Sequence, residues 1–330
     1  MKIFKNSLII GFVITLFSCD NEVDLNAEFI DTPVVFSLLT PGADTQYVRV
    51  TRGFLKDGES AIDLAQDPSN LYYDTLEVFL TDVESGNVFT FNKIEVPKEP
   101  GVFSTETNRV YMLENQLNVG SEYKLDVTRP GEGTSTATAS ALGQVELDKP
   151  DPNRPSLEVS FVNNQLQFQS YDFQFNIGRN IAKFEAYLYF YYDEVNGSTK
   201  TRKEVKMPIG SFTNSNRENL DEIEIFFPGD RFFRTIANEV EPTSVKKEIP
   251  TDSTLMIEIF AADETLIFYQ DLNGPIEGLA QVRPEFSNIE NGIGLFASRS
   301  VVKYFTRLNG DSRNELKIGS LTGNHNFSDP

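Results

Sequence analysis

The stretch LNVGSEYKLDVT, residues 117–128, carries the pattern that decides the fold expected for this chain. Apolar and polar residues alternate in it from Tyr123 onward, with Leu125 and Val127 as the next apolar positions. Successive side chains of a β-strand point to opposite faces, so this alternation predicts a strand with one buried and one polar face.

Tyr123 stands where this strand begins, six residues after Leu117. In immunoglobulin-like domains a tyrosine at such a corner hydrogen-bonds back to the chain upstream, an arrangement called the tyrosine corner. The spacing therefore favours an immunoglobulin-like β-sandwich, which we place at residues 28–147. Further alternating segments separated by turn signals agree with a sandwich; they are residues 34–39, 47–51, 76–81 and 88–91.

A break follows at residues 148–155, where Pro150, Pro152 and Pro155 stand among polar residues. Prolines at that density are typical of a stiff linker. We therefore expect a second domain at residues 156–330. Its alternating segments predict strands at residues 171–177, 184–192, 223–225 and 255–259.

Two helices are expected to interrupt the strands of this second domain. One begins at Gly229-Asp230 and the other at Asp263, and the second ends at Asn273-Gly274. Both segments have helix start and stop signals around an apolar face. The whole chain is therefore predicted to be all-β, with two short helical insertions in a β-rich second domain.

The first 18 residues have the pattern of a lipoprotein signal peptide. Lys2 and Lys5 precede an apolar run that is short for a membrane span, and the run ends in Leu-Phe-Ser-Cys at Cys19. Cys19 is the single cysteine of the 330 residues, so it has no disulfide partner in the chain. The sequence thus predicts lipid attachment at Cys19 and anchoring to a membrane through acyl chains.

Acidic residues follow directly in the segment 19–27, which we interpret as a tether. Asp20, Glu22 and Asp24 at this place are similar to the surface-export signal of Bacteroidota lipoproteins. The alternative is an ordinary polar tether that carries no address.

The formal net charge of −20 argues against nucleic-acid binding, which needs a basic surface. The single histidine, His325, is expected to be an exposed residue near the C-terminus, and no catalytic set can be named. We expect no cofactor and no metal: Asp271, Asn273 and Glu277 offer oxygen ligands, but capping and turn formation explain them equally well. A glycoside hydrolase that uses two carboxylates stays open as an alternative, because acidic residues are abundant.

Tyr187, Tyr189 and Tyr191 are the residues singled out as a platform for a ligand or partner. They share one face of the strand predicted at 184–192. Exposed, they could stack on sugar rings or on a partner protein. Alternatively, a second layer covers this face and the three rings belong to a core.

The C-terminal part carries a resemblance to a known family. A helix with FYQDLN at 268–273 is followed by FSNIENGIGLF at 286–296. Together with the lipobox, which is the Leu-Phe-Ser-Cys sequence at 16–19, and the β-rich halves, this resembles an uncharacterised family of Bacteroidota lipoproteins. That family is a domain of unknown function encoded beside TonB-dependent outer-membrane transporters. From the residues themselves, Asn288, Asn291, Gly292 and Gly294 are expected to shape a turn.

The resemblance implies an outer-membrane accessory lipoprotein, facing the cell exterior, that binds a transporter partner or a nutrient such as a glycan or peptide and is not an enzyme. A structural or adhesive surface module is the alternative that the sequence leaves open beside the hydrolase.

Overall fold

The computed structural model describes residues 31–53, 60–99, 101, 108–154, 158–274 and 286–330. Its strands in chain order are β1 Pro33–Leu39, β2 Thr45–Arg52, β3 Glu77–Asp82, β4 Val88–Thr90, β5 Asn92–Val96, β6 Asn108–Glu114, β7 Glu122–Arg129, β8 Gly133–Ser140, β9 Val145–Lys149, β10 Tyr171–Ile177, β11 Lys183–Asn196, β12 Thr199–Thr213, β13 Leu220–Phe227, β14 Lys246–Glu248, β15 Leu255–Ala262, β16 Ile293–Thr306 and β17 Phe327–Ser328. The helices are α1 Ala61–Gln66, α2 Pro68–Leu71, α3 Gly229–Glu239, α4 Glu264–Asn273 and α5 Gly310–Ile318.

The first eight strands form an immunoglobulin-like sandwich, as predicted. Their sheets run β1-β2-β6-β5 and β4-β3-β7-β8. Lettered along the chain from A, with β4 as C′, these are the A-B-E-D and C′-C-F-G sheets of immunoglobulin domains. Tyr123 lies at the start of strand F, and its hydroxyl accepts a hydrogen bond of 2.8 Å from the backbone N–H of Asn118. The tyrosine corner is therefore confirmed.

The second half is a sandwich of the same kind. One sheet runs β9-β10-β13, and the other contains β12, β11, β15 and β16 as neighbours. These correspond to the A-B-E and C′-C-F-G strands of the same scheme. Its core is rich in fully buried aromatic side chains, among them Phe173, Phe175, Phe184 and Phe190, with Phe232 of α3 packed against them.

The structure differs from the sequence-based boundary between the halves. Strand β9 ends at Lys149, inside the expected linker, and it pairs with β10 of the second sandwich. Val145 and Leu147 in β9 are buried in the second core. The prolines begin only after this strand, so the proline-rich stretch follows the first strand of the second sandwich rather than preceding it.

Strand β16 joins the two sandwiches into one ten-stranded sheet. Its first residues pair in parallel with β1, and the residues from Arg299 onward pair antiparallel with β15. Phe296 of β16 is fully buried in the core of the first sandwich. A strand late in the chain thus completes a domain that begins it.

The motif before β16 shapes this junction. Asn291 has a φ of 54°, and Gly294 has a φ of 129°. A Cβ on Gly294 would collide with the carbonyl oxygen of Val35 on β1. The Asn288 side chain accepts from the N–H of Phe296 and donates to its carbonyl. The turn-shaping role predicted for this motif is therefore confirmed.

The predicted helices are present, with small differences in their ends. Asp263 caps α4, and its carboxylate accepts from the N–H of Leu266 at 2.7 Å. Helix α3 begins after Pro228, without a side-chain cap. Helix α5, capped by Asn309, was not among the two helices expected in this half.

The expectation that His325 is exposed is wrong. Its side chain is 3 % exposed, Nε2 lies 3.2 Å from the carbonyl oxygen of Ala237, and the ring stacks on Phe327. It is buried because β17 pairs with β14 and ties the C-terminal segment to the sandwich. Within the described ranges, no helix combines the length and apolarity that crossing a bilayer requires.

Candidate functional site

The two faces of β11 have different surroundings. Phe184, Leu188 and Phe190 point into the second core. Tyr187, Tyr189 and Tyr191 point to the other side of the ten-stranded sheet, which also carries Phe260 of β15 and Val301 and Phe305 of β16 by register. We call this side the outer face; Phe260, Val301 and Phe305 are exposed on it.

The three tyrosines share the outer face, but their environments differ. Tyr189 is buried, whereas Tyr187 and Tyr191 are half-buried. Tyr189 and Tyr191 stack with their ring centroids 6.5 Å apart, and Tyr187 meets Phe260 edge-on at 5.9 Å. The shared face predicted from alternation is confirmed, and the role of these rings as a platform stays a prediction.

Tyr189 is held by a polar network at the centre of the outer face. Its hydroxyl donates to Glu258 Oε2 at 2.7 Å, and Lys303 Nζ lies 2.9 Å from Glu258 Oε1. Burial opposes ionisation of Glu258, but hydrogen bonds from Tyr189 and Lys303 outweigh it and leave the pKa of Glu258 below its ordinary value. Burial and the adjacent carboxylate raise the pKa of Tyr189. The pair is therefore a carboxylate that accepts from a neutral phenol.

Lys206 of β12 lies above the rings, with no carboxylate within ion-pair distance in the described part of the chain. Its Nζ is 4.1 Å from the ring centroid of Tyr187, 5.2 Å from that of Tyr189 and 5.7 Å from that of Phe260. An ammonium group at such distances is attracted by the ring faces. The outer face thus presents a positioned positive charge over aromatic side chains.

A cleft of about 380 Å³ opens beside Tyr187, between α4 and the strands of the outer face. Hydrophobic side chains from α4, β1 and β15 form part of its wall, and Lys183, Glu185, Lys206 and Arg299 supply charge. Glu185 accepts from Lys183 Nζ at 2.7 Å and from the Tyr187 hydroxyl at 2.9 Å. The Lys183 hydrogen bond is the main cause that holds the pKa of Glu185 below its usual value.

A second cleft, of about 420 Å³, lies on the other side of α4. Phe36, Tyr47, Tyr269 and Leu295 line it, and Phe36 meets Tyr269 edge-on at 6.3 Å. Leu38, Leu266, Gln270 and Arg299 border both clefts. Helix α4 therefore sits on the sheet with an open groove at each flank.

Sequence reasoning missed every outer-face residue that lies outside β11. Lys206, Phe260 and Arg299 come from three other strands, and only the pairing of β12, β15 and β16 brings them to Tyr187. Alternation within β12 places Arg202, Glu204 and Lys206 on one side and would have been the available signal. No signal in one sequence gives the order of strands that are far apart along the chain.

The other predicted sites lie elsewhere. Cys19, Asp20, Glu22 and Asp24 fall outside the described residues, as does Glu277 of the oxygen-ligand set. Asn273 donates its side-chain amide to the carbonyl of Tyr269, which is a local helix contact. Among the described ranges, no group of three His, Cys, Asp or Glu residues is arranged to hold a metal ion.

Comparison with known proteins gives fold-level likenesses alone. No family model and no curated protein matches the chain. Among solved structures, it is similar to the IG1 and IG2 domains of DIP-gamma, at 5 % identity over 71 % of this chain and 91 % of that one, with a TM-score of 0.18. The chain is also similar to a chain of a cytokine receptor complex, at 10 % identity over 84 % of this chain and 99 % of that one, with a TM-score of 0.21.

The C-terminal globular domain of an oligosaccharyltransferase from Pyrococcus abyssi gives 8 % identity over 85 % of this chain and half of that one, with a TM-score of 0.18. Likenesses this weak carry no argument. The immunoglobulin-like description of the first half stands on its strand order and tyrosine corner.

Proposed function

We propose that this chain is an accessory lipoprotein, anchored in the outer membrane through lipid on Cys19, whose outer face binds a nutrient or a transporter partner. The observation that carries the proposal is the exposed aromatic character of the outer face beside a cleft. Phe305 is 57 % exposed, and Phe260 and Val301 are 37 % exposed. Exposed apolar side chains gathered on one face of a sheet, beside a cleft, are typical of binding sites.

The cleft supports binding over the alternatives. A purely structural or adhesive module has no need of a concave site lined by polar and apolar groups. Hydrolysis by two carboxylates needs a facing pair. Glu185 is the one acid among the described residues that line the cleft beside Tyr187, and both its oxygens accept hydrogen bonds from neighbours.

Partner binding is tested by co-purification from native membranes. The variant Tyr191→Ser/Phe305→Ser removes two outer-face rings, and Phe226→Ser is the matched control, because Phe226 is 64 % exposed on a different sheet. We expect the double variant to lose a co-purifying TonB-dependent transporter that the wild type and the control retain. Equal recovery with all three proteins would contradict binding through the outer face.

Anchoring is tested by Cys19→Ala, because the lipobox supplies the attachment point. We expect the variant to leave the detergent phase in which the wild type partitions. Replacing Asp20, Glu22 and Asp24 by Ala should lower protease accessibility on whole cells while total protein stays constant. Unchanged protease accessibility would mean that these three acids form an ordinary polar tether and carry no export signal.

A further inference from the structure

The cleft beside Tyr187 is basic in a strongly acidic chain. Lys183, Lys206 and Arg299 line it, against the single acid Glu185, while the whole chain has a net charge of −20. Lys183 is neutralised by Glu185. Within the described residues, neither Lys206 nor Arg299 has a carboxylate within ion-pair distance, so the cleft presents two cations without a direct ion pair.

Lys206 is positioned without being neutralised. Its contacts with the rings of Tyr187, Tyr189 and Phe260 restrain the ammonium group, but aromatic faces accept no full hydrogen bond from it. A lysine ammonium has three donors and no acceptor. Its N–H groups thus remain available to an anionic acceptor that enters the cleft.

Apolar side chains also line the cleft, beside the polar residues Gln270 and Ser300. Phe260 and Val301 contribute exposed side chains, Leu38 and Ile267 contribute half-buried ones, and Leu266 of α4 is buried. A volume of about 380 Å³ lies in the range of small-molecule sites. A ligand that joins an anionic group to a compact apolar body therefore matches both the cations and the apolar side chains of this cleft.

We infer that the cleft binds a carboxylate attached to an aromatic or branched apolar group, with the carboxylate on Lys206 and Arg299 and the apolar group against Phe260 and Val301. This rests on the proposed function, in which the outer face is a binding surface. A guanidinium and a carboxylate make paired, charge-assisted hydrogen bonds. Glu185 in the same cleft disfavours a second negative charge, which favours a carboxylate over a doubly charged phosphate. A free organic acid and a peptide C-terminus share this chemistry.

The test measures binding of N-acetylphenylalanine and of its C-terminal amide to the purified full chain by calorimetry or NMR titration. The two probes differ in the carboxylate alone. We expect the acid to bind at least about tenfold more tightly than the amide, and Lys206→Gln and Arg299→Gln each to weaken acid binding about tenfold. Acid and amide binding equally would overturn the inference, as would undiminished acid binding by Arg299→Gln.

Lys203→Gln is the matched control, because Lys203 pairs with Tyr192 and so lies on the opposite side of β12 from Lys206. It should bind the acid as tightly as the wild type does. If Lys203→Gln weakens acid binding as much as Lys206→Gln does, the overall charge of the chain explains the affinity and the proposed site is wrong. Thermal melts of all variants establish that they fold. A peptide that ends in phenylalanine is compared with N-acetylphenylalanine. Tighter binding of the peptide identifies the ligand as a peptide C-terminus, and equal binding identifies it as a free organic acid.

Failure here is distinguishable from failure of the proposed function. A wild-type chain that recovers its transporter partner but does not discriminate acid from amide overturns the carboxylate assignment alone. A chain that discriminates them but recovers no transporter supports the cleft and contradicts the transporter partner.

Discussion

At the scale of single residues, Tyr123 shows what local spacing can predict. Its hydroxyl accepts from the Asn118 N–H five residues upstream, so the contact needed no knowledge of the tertiary fold. Asn118 also donates its side-chain amide to Asp82 at 3.2 Å, and Asp82 accepts from the N–H groups of Glu84 and Ser85 at the end of β3. The corner therefore connects strands F and C of the first sandwich.

Removing this hydroxyl should destabilise the chain. Tyr123→Phe removes the hydroxyl that accepts from the N–H of Asn118, which we expect to cost about 1 kcal/mol in the free energy of unfolding. Tyr111→Phe is the control, because Tyr111 is similarly buried in the same core but shows no hydroxyl hydrogen bond among the described residues. Urea unfolding measures both, and equal midpoints would contradict a stabilising corner.

Asp263 and Ser298 form a second local feature, and this one was only half predictable. The capping of α4 by Asp263 follows from sequence, but the second carboxylate oxygen accepts from the N–H of Ser298, 35 residues away, at 2.7 Å. The Ser298 hydroxyl donates to Leu39 and accepts from the N–H of Leu142. The helix cap, β1 and the connection between the sandwiches thus meet at one buried serine.

This burial makes stability depend on pH. Burial raises the pKa of Asp263 to about 6, although its two backbone hydrogen bonds act in the opposite direction. The folded state therefore binds the proton more tightly than the unfolded chain, with its pKa of 3.8. Protonation of Asp263 therefore contributes fully to the stability of the folded state below pH 3.8, and this contribution is lost as the pH rises through 6.

We expect Asp263→Asn, which resembles the protonated acid, to remove this dependence. The unfolding free energy of the wild type relative to the variant should fall by up to about 3 kcal/mol between pH 4 and pH 7. Urea unfolding at the two pH values measures it. Asp74→Asn is the control, because the Asp74 side chain is 98 % exposed. A constant difference between wild type and Asp263→Asn would contradict the shifted titration.

At the scale of elements, β11 shows where pattern reasoning stops. Alternation correctly assigned its two faces, yet it treated Tyr187, Tyr189 and Tyr191 alike. The structure separates them, because β15 brings Glu258 to the Tyr189 hydroxyl and β12 brings Lys206 over the rings. Both neighbours act through strand pairing, which the period-two pattern of β11 does not encode.

The tyrosines should therefore respond differently to truncation. Tyr189→Ala removes a buried ring and leaves Glu258 Oε2 without the donor that Tyr189 supplies, for an expected loss of about 3 kcal/mol or more. Tyr191→Ala, half-exposed and bonded weakly to Met256 Sδ at 3.6 Å, should cost about 1 kcal/mol. Midpoints of chemical unfolding compare them. Equal losses would mean that the tyrosines form one uniform surface or one uniform core.

Helix α5 and strand β12 mark the limit of element prediction. Helix α5 is short, and its buried residues Ser312, Glu315 and Leu316 include two polar ones, so its apolar stripe is weak. Strand β12 is exposed over most of its first half and carries charges on both sides there. Neither has a strong period of its own, and tertiary packing decides both.

At the scale of the whole molecule, the sequence correctly indicated an all-β chain with two β-rich halves. It did not reveal that the halves share a sheet. The connection depends on parallel pairing between Pro33–Leu39 and a strand more than 250 residues later, and parallel pairing across such a separation leaves no local signature. Because Phe296 and Ile289 belong to the first core, the first sandwich is completed only by the end of the chain.

This arrangement gives a prediction about fragments. Residues 28–147, the first domain as the sequence divides it, lack Phe296 and Ile289 and expose one edge of β1. Loss of a buried phenylalanine alone costs about 3–5 kcal/mol, against a total stability of about 5–15 kcal/mol for an ordinary domain. We expect the fragment to show no cooperative unfolding transition, or one far below that of the full chain.

A matched fusion protein adds residues 286–300 to the C-terminus of the same fragment through a flexible Gly/Ser linker. It restores the strand beside β1, the two missing core side chains and the bridge between Thr136 and Glu290. Cooperative unfolding should return in this fusion, and Phe296→Ala within it should abolish much of the gain. Thermal and urea unfolding are measured for the fragment, the fusion and the fusion with Phe296→Ala. If the fragment alone unfolds as cooperatively as the fusion, each sandwich is complete by itself and β16 is only a contact between two folded domains.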